Sequence, residues 1–207
     1  MSNLLIRFFS SIILGPIILL LIYFGGLYFN ILLLICFLLG TYEIKKLKNN
    51  KLKISILLLL IFFIISSYNI RSLDTGLELF CLILSITWLT DIGGFVFGKY
   101  IGGKKIKVIS PNKTYVGFLG SLILAQFSFI ILNYFNIKLF DSTPLTSLVF
   151  FLSSSFVIIG DLSFSYFKRL ENLKDYSNLI PGHGGIFDRI DGLIFVTIFF
   201  NLLLQFI

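Results

Sequence analysis

Apolar residues run along this chain in long blocks, several of them seventeen or more residues long, with short polar segments between them. A helix needs about 20 mostly apolar residues to cross the hydrocarbon core of a bilayer, which is about 30 Å thick. The pattern therefore predicts an all-α fold, a polytopic integral membrane helical bundle of about seven transmembrane helices. The predicted spans are Leu4–Phe24, Leu27–Thr41, Leu52–Tyr68, Leu77–Phe97, Val116–Ile137, Leu145–Phe167 and Ile190–Ile207.

Composition agrees with a membrane protein. Of the 207 residues, 57% are hydrophobic and 13% are charged, about half the charged share of a soluble domain. We expect a single transmembrane domain over residues 1–207, whose first span is retained rather than cleaved as a signal peptide. The Gly25-Gly26 pair behind that span predicts a tight turn between antiparallel helices. Cys36 and Cys81 lie inside apolar spans and lack the CxxC spacing of a metal site.

The basic residues are distributed unevenly among the loops. Of the 17 lysines and arginines, all but Arg71 and Lys138 fall at the N-terminus or in the segments 45–53, 99–115 and 168–189. The positive-inside rule makes that side cytoplasmic and places the N-terminus in the cytosol. The net charge of +7 therefore predicts membrane orientation rather than nucleic-acid binding. For the lysines of 45–53, orientation alone is a sufficient explanation.

One carboxylate lies near the end of the sixth predicted span. Asp161 stands in "VIIGDLSFSYFKR", where an isolated charge needs a partner or a ligand. If the helix continues, Ser165 and Lys168 fall four and seven residues later, on the same face. A carboxylate, a hydroxyl and an ammonium on one stripe suit a metal and a phosphate together.

The polar segment before the last span adds two more carboxylates. In "IPGHGGIFDRIDGL", Asp188 and Asp191 are three apart, hence on one face of the incoming helix. With Asp161 they predict a site for a hard cation, Mg²⁺ before Zn²⁺, although acids also simply complement a helix N-terminus. Gly184 and Gly185 leave backbone N–H groups open to a ligand. The only histidine either orients the loop or transfers a proton.

A second basic loop repeats the combination of acid, glycine and lysine. Asp91 precedes several glycines, and "GKYIGGKK" nearly fits a P-loop, but a lysine stands where Ser or Thr is required. "SPNKT" predicts a helix start with Ser110 as N-cap and Pro111 at the first helical position. An anion could bind there beside Lys113 and Thr114. The alternative is a capped helix whose lysines face water.

The stretch "SYFKRLENLKDYSNLIPGHGGIFDRID", from Ser165 to Asp191, resembles the signature of phosphatidate cytidylyltransferases, also called CDP-diacylglycerol synthases. The resemblance extends to the region from Asp91 to Gly117, where Asn112 and Phe95 depart from the residues usual in the family. The signature positions present are Ser165, Lys168, Arg169, Lys174, Asp175, Ser177, Ile180, Pro181, His183, Gly184, Gly185, Asp188, Arg189 and Asp191.

The resemblance implies transfer of cytidylyl from CTP to phosphatidate, giving CDP-diacylglycerol and pyrophosphate. It makes 77–207 the catalytic half, with an active site at the cytoplasmic face, and 1–76 a set of N-terminal apolar spans. Mg²⁺ is the expected cofactor, together with a second, monovalent cation, and the implied metal ligands are Asp161, Asp188 and Asp191. The implied catalytic residues are Asp161, Lys168, Arg169, Asp188 and Asp191. The implied substrate-binding residues are Asp91, Ser110, Pro111, Lys113, Thr114, Ser165, Lys174, Asp175, His183, Gly184, Gly185 and Arg189.

Two alternatives stay open. A CTP-dependent enzyme acting on a different lipid acceptor shares this chemistry, since the acceptor is not visible in the sequence. A membrane transporter also places carboxylates in spans, but near the midplane and in paired repeats, which this sequence does not show. We expect a bacterial inner-membrane protein that binds CTP, phosphatidate and the bilayer, and that forms a homodimer.

Overall fold

The computed structural model describes residues 3–106 and 113–206, with side chains from Ser10 onward. The described residues form helices and no strand, so the predicted all-α class is confirmed. A short 3₁₀ segment, Gln126–Ser128, separates α5 from α6. The helices are α1 Asn3–Phe24, α2 Gly26–Lys46, α3 Asn50–Arg71, α4 Gly76–Tyr100, α5 Tyr115–Ala125, α6 Phe129–Phe135, α7 Thr143–Leu170 and α8 Phe187–Leu203.

Each predicted span coincides with a helix or a helix pair. Within the described part of the chain, five segments are long and apolar enough to cross a membrane: α2, α3, α4, the α5–α6 pair and α7. The apolar part of α1 that is described, Ser10–Phe24, is shorter, and α8 has 17 residues. The predicted count of about seven is therefore not confirmed, and the orientation of the N-terminus stays a prediction.

The chain divides into two compact units. Unit 1 comprises Met1–Leu77 and Phe167–Ile190, and unit 2 comprises Glu78–Tyr166 and Asp191–Ile207. The break after Leu77 lies one residue from the predicted division between 76 and 77. The segment Phe167–Ile190 differs from that scheme, because it packs with the N-terminal spans rather than with the rest of 77–207.

Two tight turns shape unit 1. The predicted turn at Gly25-Gly26 is confirmed, since α1 ends at Phe24 and α2 begins at Gly26. Arg71 caps the end of α1: its Nε donates to the carbonyl of Ile22 (3.0 Å) and its Nη2 to that of Tyr23 (3.1 Å). A cation at a helix C-terminus satisfies carbonyls that have no partner within the helix.

Glu171 fixes the turn between α2 and α3. Its carboxylate accepts the backbone N–H groups of Lys48 and Asn49, both at 2.8 Å. These two donors hold the pKa of Glu171 below its usual value, with the nearby charges of Lys48 and Lys53 adding to the effect. Asn49 then caps α3 by accepting the N–H of Lys51 at 3.0 Å. A residue just beyond α7 thus organises a loop that the sequence assigned only to orientation.

In unit 2, α7 and α8 cross where both carry glycine. A Cβ on Gly160 would lie 2.6 Å from the carbonyl oxygen of Asp191 and 3.0 Å from the Cα of Gly192. A Cβ on Gly192 would lie 2.8 Å from a methyl of Val157. Only residues without a side chain allow the two backbones to approach this closely. The crossing sets Asp161 on α7 beside Asp191 on α8.

Candidate active site

A cavity of about 330 Å³ lies within unit 2, between α4, α5 and α7. Its apolar wall includes Phe95, Phe118, Ile158 and Leu162. The cavity therefore combines an apolar wall with a small polar surface. Its polar lining comprises Thr90, Asp91, Lys113, Thr114, Ser121 and Asp161.

Lys113 and Asp161 form an ion pair inside this cavity. Their side chains are 30% and 31% exposed, so solvent reaches the pair only in part. Backbone hydrogen bonds at Lys113 and just after it fix its position. The carbonyl of Lys113 accepts the N–H of Ile106 at 2.8 Å, and two residues later the N–H of Tyr115 donates to the carbonyl of Lys104 at 3.1 Å. The prediction that Asp161 needs a partner is confirmed, and Lys113 is that partner.

Asp191 shares the electrostatic environment of this pair. Its carboxyl lies within range of the charges of Asp161, Asp91 and Lys113, and its Oδ1 accepts the N–H of Gly192 at 2.8 Å. The side chain is half-buried, whereas Asp91 is exposed. Three carboxyl groups around one lysine carry a net negative charge, which favours a bound cation.

Thr114 is the N-cap of α5. Its hydroxyl accepts the N–H of Gly117 at 3.0 Å, and the helix begins at Tyr115. The predicted start, with Pro111 as the first helical residue, is wrong because Lys113 and Thr114 are not helical. Ser110 and Pro111 themselves lie outside the described residues.

Asp188, in unit 1, has a dense set of partners. Its Oδ1 accepts Lys168 Nζ at 2.7 Å, and its Oδ2 accepts the backbone N–H groups of Tyr176 (3.0 Å) and Gly185 (2.9 Å). The carboxylate is 3% exposed and the Lys168 side chain 16%. Asp188 therefore organises the loop that precedes α8 as well as pairing with Lys168. Its predicted role as a metal ligand stays a prediction.

The residues 180–186, which we call the glycine loop, are held by backbone hydrogen bonds within the loop and by two carboxylates outside it. Ile180 N–H donates to the carbonyl of Gly184 and His183 N–H to that of Ile180, both at 2.9 Å. The N–H groups of Gly185 and Ile186 donate to Asp188 and to Glu43. The N–H of Gly185 is therefore occupied, contrary to the prediction that it stays open to a ligand. For the N–H of Gly184 that stays a prediction, and the φ of 85° at this position is one that other residues rarely adopt.

The sequence left two roles open for His183. Ser10 Oγ lies 2.8 Å from its Nδ1 and Ser11 Oγ lies 3.2 Å from its Nε2. Ser10 Oγ also donates to the carbonyl of Pro181 at 3.1 Å. Both ring nitrogens thus have hydroxyl partners on α1, which favours the orientation of the loop over proton transfer.

The remaining predicted site residues of unit 1 lie on its surface. Arg169, Lys174, Asp175 and Arg189 are all exposed. Arg189 Nε donates to the carbonyl of His183 at 3.0 Å, which attaches this side chain to the glycine loop. Ser165, on α7 in unit 2, is half-buried. The continuous helix assumed for Asp161, Ser165 and Lys168 is confirmed, since α7 runs to Leu170.

Sequence reasoning missed Glu43, the polar residue with the least exposure near the glycine loop. This side chain of α2 is 0% exposed. It accepts Ser177 Oγ at 2.6 Å, Ile186 N–H at 2.7 Å and Phe187 N–H at 3.2 Å. Its signal was available: an acid at the end of an apolar span needs partners, as was argued for Asp161. The run of lysines that follows Glu43 instead favoured a loop.

The described residues contain no group of three or more His, Cys, Asp or Glu side chains placed to hold a metal ion. The carboxylates nevertheless have the chemistry that Mg²⁺ prefers. Mg²⁺ commonly uses one or two protein carboxylates and completes its shell with water and substrate phosphates. Asp161 and Asp191 in unit 2 could supply these one or two carboxylates.

Fold and site together define an integral membrane protein of apolar helices, in which unit 2 brings carboxylates and a lysine together at a cavity. The family-level comparison makes this specific: residues 53–207 match the Cytidylyltransferase family, and the chain belongs to that family. The resemblance seen in the sequence is thereby confirmed. The match contains every residue predicted for the site and begins after α2.

Curated relatives carry a more particular name. Proteins named phosphatidate cytidylyltransferase from Staphylococcus haemolyticus and Staphylococcus saprophyticus are each 41% identical to this chain over 133 residues. One of the same name from Staphylococcus aureus is 40% identical over 133 residues. Each alignment covers 62% of this chain and 50% of the relative. The chain thus spans about half the length of the curated relatives it matches.

Proposed function

We propose that this protein transfers the cytidylyl group of CTP to phosphatidate. A phosphate oxygen of phosphatidate attacks the α-phosphorus of CTP, the new P–O bond forms as the bond to the β-phosphate breaks, and pyrophosphate leaves. The observation that carries the proposal is the family match over 53–207, which contains the whole polar site. The name shared by the relatives supplies the substrate.

The geometry of unit 2 supports a lipid phosphate as one reactant. Its cavity has the volume of a small ligand site and could hold a phosphate headgroup, with apolar side chains along its wall. A phosphate oxygen is already anionic at neutral pH, so the attack needs no strong general base. Positioning and neutralisation of charge then account for most of the catalysis.

Lys113 is proposed to supply charge neutralisation in the cavity. In the free protein its ammonium pairs with Asp161, and an incoming phosphate offers an equivalent anionic acceptor. Release from Asp161 would free that carboxylate for a cation. When bound, Mg²⁺ would neutralise charge on the phosphates. Asp161 and Asp191 are the residues proposed to hold it, and the second, monovalent cation stays a prediction.

In unit 1, basic side chains around the glycine loop are proposed to bind phosphate groups. Lys168 is held by Asp188 and Arg189 by the carbonyl of His183, so both are presented in defined positions. Arg169 and Lys174 add exposed positive charge. The phosphates could belong to the triphosphate of CTP or to the lipid.

We place the protein in the bacterial plasma membrane with this chemistry facing the cytosol, where CTP is available. The asymmetry of basic loops supports that orientation. A homodimer is proposed as the assembly, on the general frequency of twofold oligomers.

The test uses the full chain, purified in detergent and supplied with CTP, Mg²⁺ and phosphatidate. Native protein is expected to form CDP-diacylglycerol and pyrophosphate. Asp191→Asn should reduce the rate by about 100-fold or more, because it removes charge from the proposed site. Asp141→Asn is the matched control: Asp141 is 93% exposed and pairs with Lys138 in the same unit. It should retain the native rate.

Two results would contradict the proposal: no CDP-diacylglycerol from the native protein, or a native rate from Asp191→Asn. Product from another lipid phosphate, with none from phosphatidate, would favour the different-acceptor alternative. Omission of Mg²⁺ with no loss of rate would remove the cation from the proposal and leave the transfer itself standing.

A further inference from the structure

Glu43 lies outside the family match and outside every motif identified in the sequence, yet it is the most completely buried acid of unit 1. Its Oε1 accepts the hydroxyl of Ser177 and the N–H of Ile186, and its Oε2 accepts the N–H of Phe187. A buried carboxylate with these donors is well satisfied. An apolar residue of similar size would leave these donors without an acceptor, and each buried donor left unpaired is costly, so the acid is what allows the loop and the start of α8 to keep this conformation.

The glycine loop is shaped to receive this carboxylate. A Cβ on Gly185 would overlap the Glu43 oxygens, so a side chain at 185 would push the carboxylate of Glu43 out of this position. The N–H groups of Ile186 and Phe187 belong to the start of α8, where helix N–H groups lack intrahelical acceptors and the helix dipole favours an anion. Glu43 therefore caps α8 from a helix far away in sequence.

The residues next to this cap bind or carry basic side chains. Asp188 lies in the first turn of α8, next to Phe187, and holds Lys168 through a 2.7 Å ion pair. Arg189 follows it and bonds the carbonyl of His183, in the glycine loop, at 3.0 Å. Displacement of the first turn of α8 would displace both basic groups together.

We propose that Glu43 is a positioning residue for phosphate binding. By capping α8 and fixing the glycine loop, it positions the basic groups of Lys168 and Arg189 to bind a phosphate group of one of the substrates. It contacts neither substrate itself. The proposal rests on the proposed function for the identity of the substrates, although the effect of Glu43 on the loop is independent of it.

The test compares Glu43→Gln with a matched control, Glu171→Gln. Both glutamates belong to unit 1 and both accept backbone N–H groups, but Glu171 holds the turn between α2 and α3. The KM for CTP is measured at saturating phosphatidate, and the KM for phosphatidate at saturating CTP. A loss of folded protein lowers apparent kcat and leaves KM unchanged, so the KM values separate positioning from stability.

Glu43→Gln is expected to raise one of the two KM values by roughly tenfold to a hundredfold, as loss of a supporting contact commonly does. A rise for CTP means that Lys168 and Arg189 bind the nucleotide, and a rise for phosphatidate means that they bind the lipid phosphate. Glu171→Gln should keep both KM values. Native KM values in Glu43→Gln, or an equal rise in Glu171→Gln, would overturn the proposal.

Ser177→Ala provides a milder variant if Glu43→Gln does not fold. It removes one donor to Glu43 and leaves the two backbone donors, so the same KM should rise by roughly fivefold. Native KM values in that variant would overturn the proposal in turn.

Hydrogen exchange separates this proposal from the proposed function. If the native protein forms no CDP-diacylglycerol, the proposed function fails, but exchange at residues 180–187 still tests Glu43. Faster exchange there in Glu43→Gln and native exchange in Glu171→Gln would support the effect of Glu43 on the loop. Unchanged exchange in Glu43→Gln would overturn it.

Discussion

Lys113 occupies a position in which its ammonium pairs with Asp161 and faces the cavity of unit 2. Its partner Asp161 lies beside Asp191, so the lysine relieves repulsion between carboxylates in the free protein. Both members of the pair are about 30% exposed, which leaves the interaction screened by solvent only in part. A phosphate that enters the cavity would compete for the same donors.

Replacement of this lysine by a neutral side chain should therefore affect the reaction strongly. Lys113→Met is expected to lower the rate of CDP-diacylglycerol formation by about 100-fold, the typical effect of losing a donor that stabilises charge in the transition state. Lys138→Met is the control, because Lys138 also pairs with an aspartate of unit 2 but is 74% exposed. Similar rates for the two variants would rule out a special role for Lys113.

At the scale of single residues, the sequence predicts which charged side chains matter but few of the pairs that they form. Asp161 stands out because charge is expensive inside an apolar span. Asp191 stands out because it shares a helix face with Asp188, and Lys113 because it follows a predicted helix start. These arguments cannot say which cation meets which acid, since the pairings depend on contacts between segments distant in sequence. The sequence predicts that Lys168 shares a site with Asp161, whereas in the structure Lys168 pairs with Asp188.

At the scale of elements, a glycine on α7 determines how closely α8 approaches. The 2.6 Å separation between a Cβ on Gly160 and the carbonyl oxygen of Asp191 leaves no room for a side chain. The obstacle is backbone, which cannot rotate away as the end of a flexible side chain can. The separation of two site carboxylates thus depends on a residue that has no chemistry of its own.

Gly160→Ala should force the two helices apart. We expect a destabilisation of about 1–3 kcal/mol, typical of overpacking, and a fall in activity, because Asp191 moves with α8. Thermal unfolding in detergent and the rate of CDP-diacylglycerol formation are the two measurements. Gly15→Ala is the control: a Cβ on Gly15 has nothing within 4 Å, and alanine favours the helix. Unchanged stability in Gly160→Ala would contradict the close crossing.

The apolar blocks of the sequence predict where the helices lie, but they do not predict where the helices end. The second predicted span stops at Thr41, but α2 continues to Lys46. Lysines in a last turn interact favourably with the helix dipole, so a change to polar residues does not end the helix. The fifth span is interrupted at Gln126–Ser128, where Gln126 accepts Ser147 Oγ at 2.8 Å. A contact with another helix of this kind leaves no periodic trace in the sequence.

At the scale of the whole molecule, the distribution of basic residues is the strongest indicator of orientation. Arg71 and Lys138 are the two cations outside the predicted cytoplasmic side, and Arg71 is engaged with carbonyls at the end of α1. The positive-inside rule counts lysines and arginines in short loops, which describes all the segments concerned.

Single cysteines can test this orientation in intact cells. Lys51→Cys should be protected from a membrane-impermeant maleimide and react only after lysis, whereas Asp141→Cys should react in both cases. Both positions are exposed, so access across the membrane decides the result. The native cysteines, Cys36 and Cys81, are replaced by serine in both proteins as a control. Labelling of Lys51→Cys in intact cells would reverse the predicted orientation.

The carboxylates of Glu43 and Glu171 have a practical consequence for any attempt to isolate the family-matched part of the chain. The match begins at residue 53, but hydrogen bonds of unit 1 join residues before position 53 to residues after it. A fragment of residues 53–207 would leave Ser177, Ile186 and Phe187 without their acceptor, and Glu171 without the N–H groups of Lys48 and Asn49. The residues that match the family therefore do not form a complete folding unit in this protein. A shortened protein has to retain α2 to keep these hydrogen bonds.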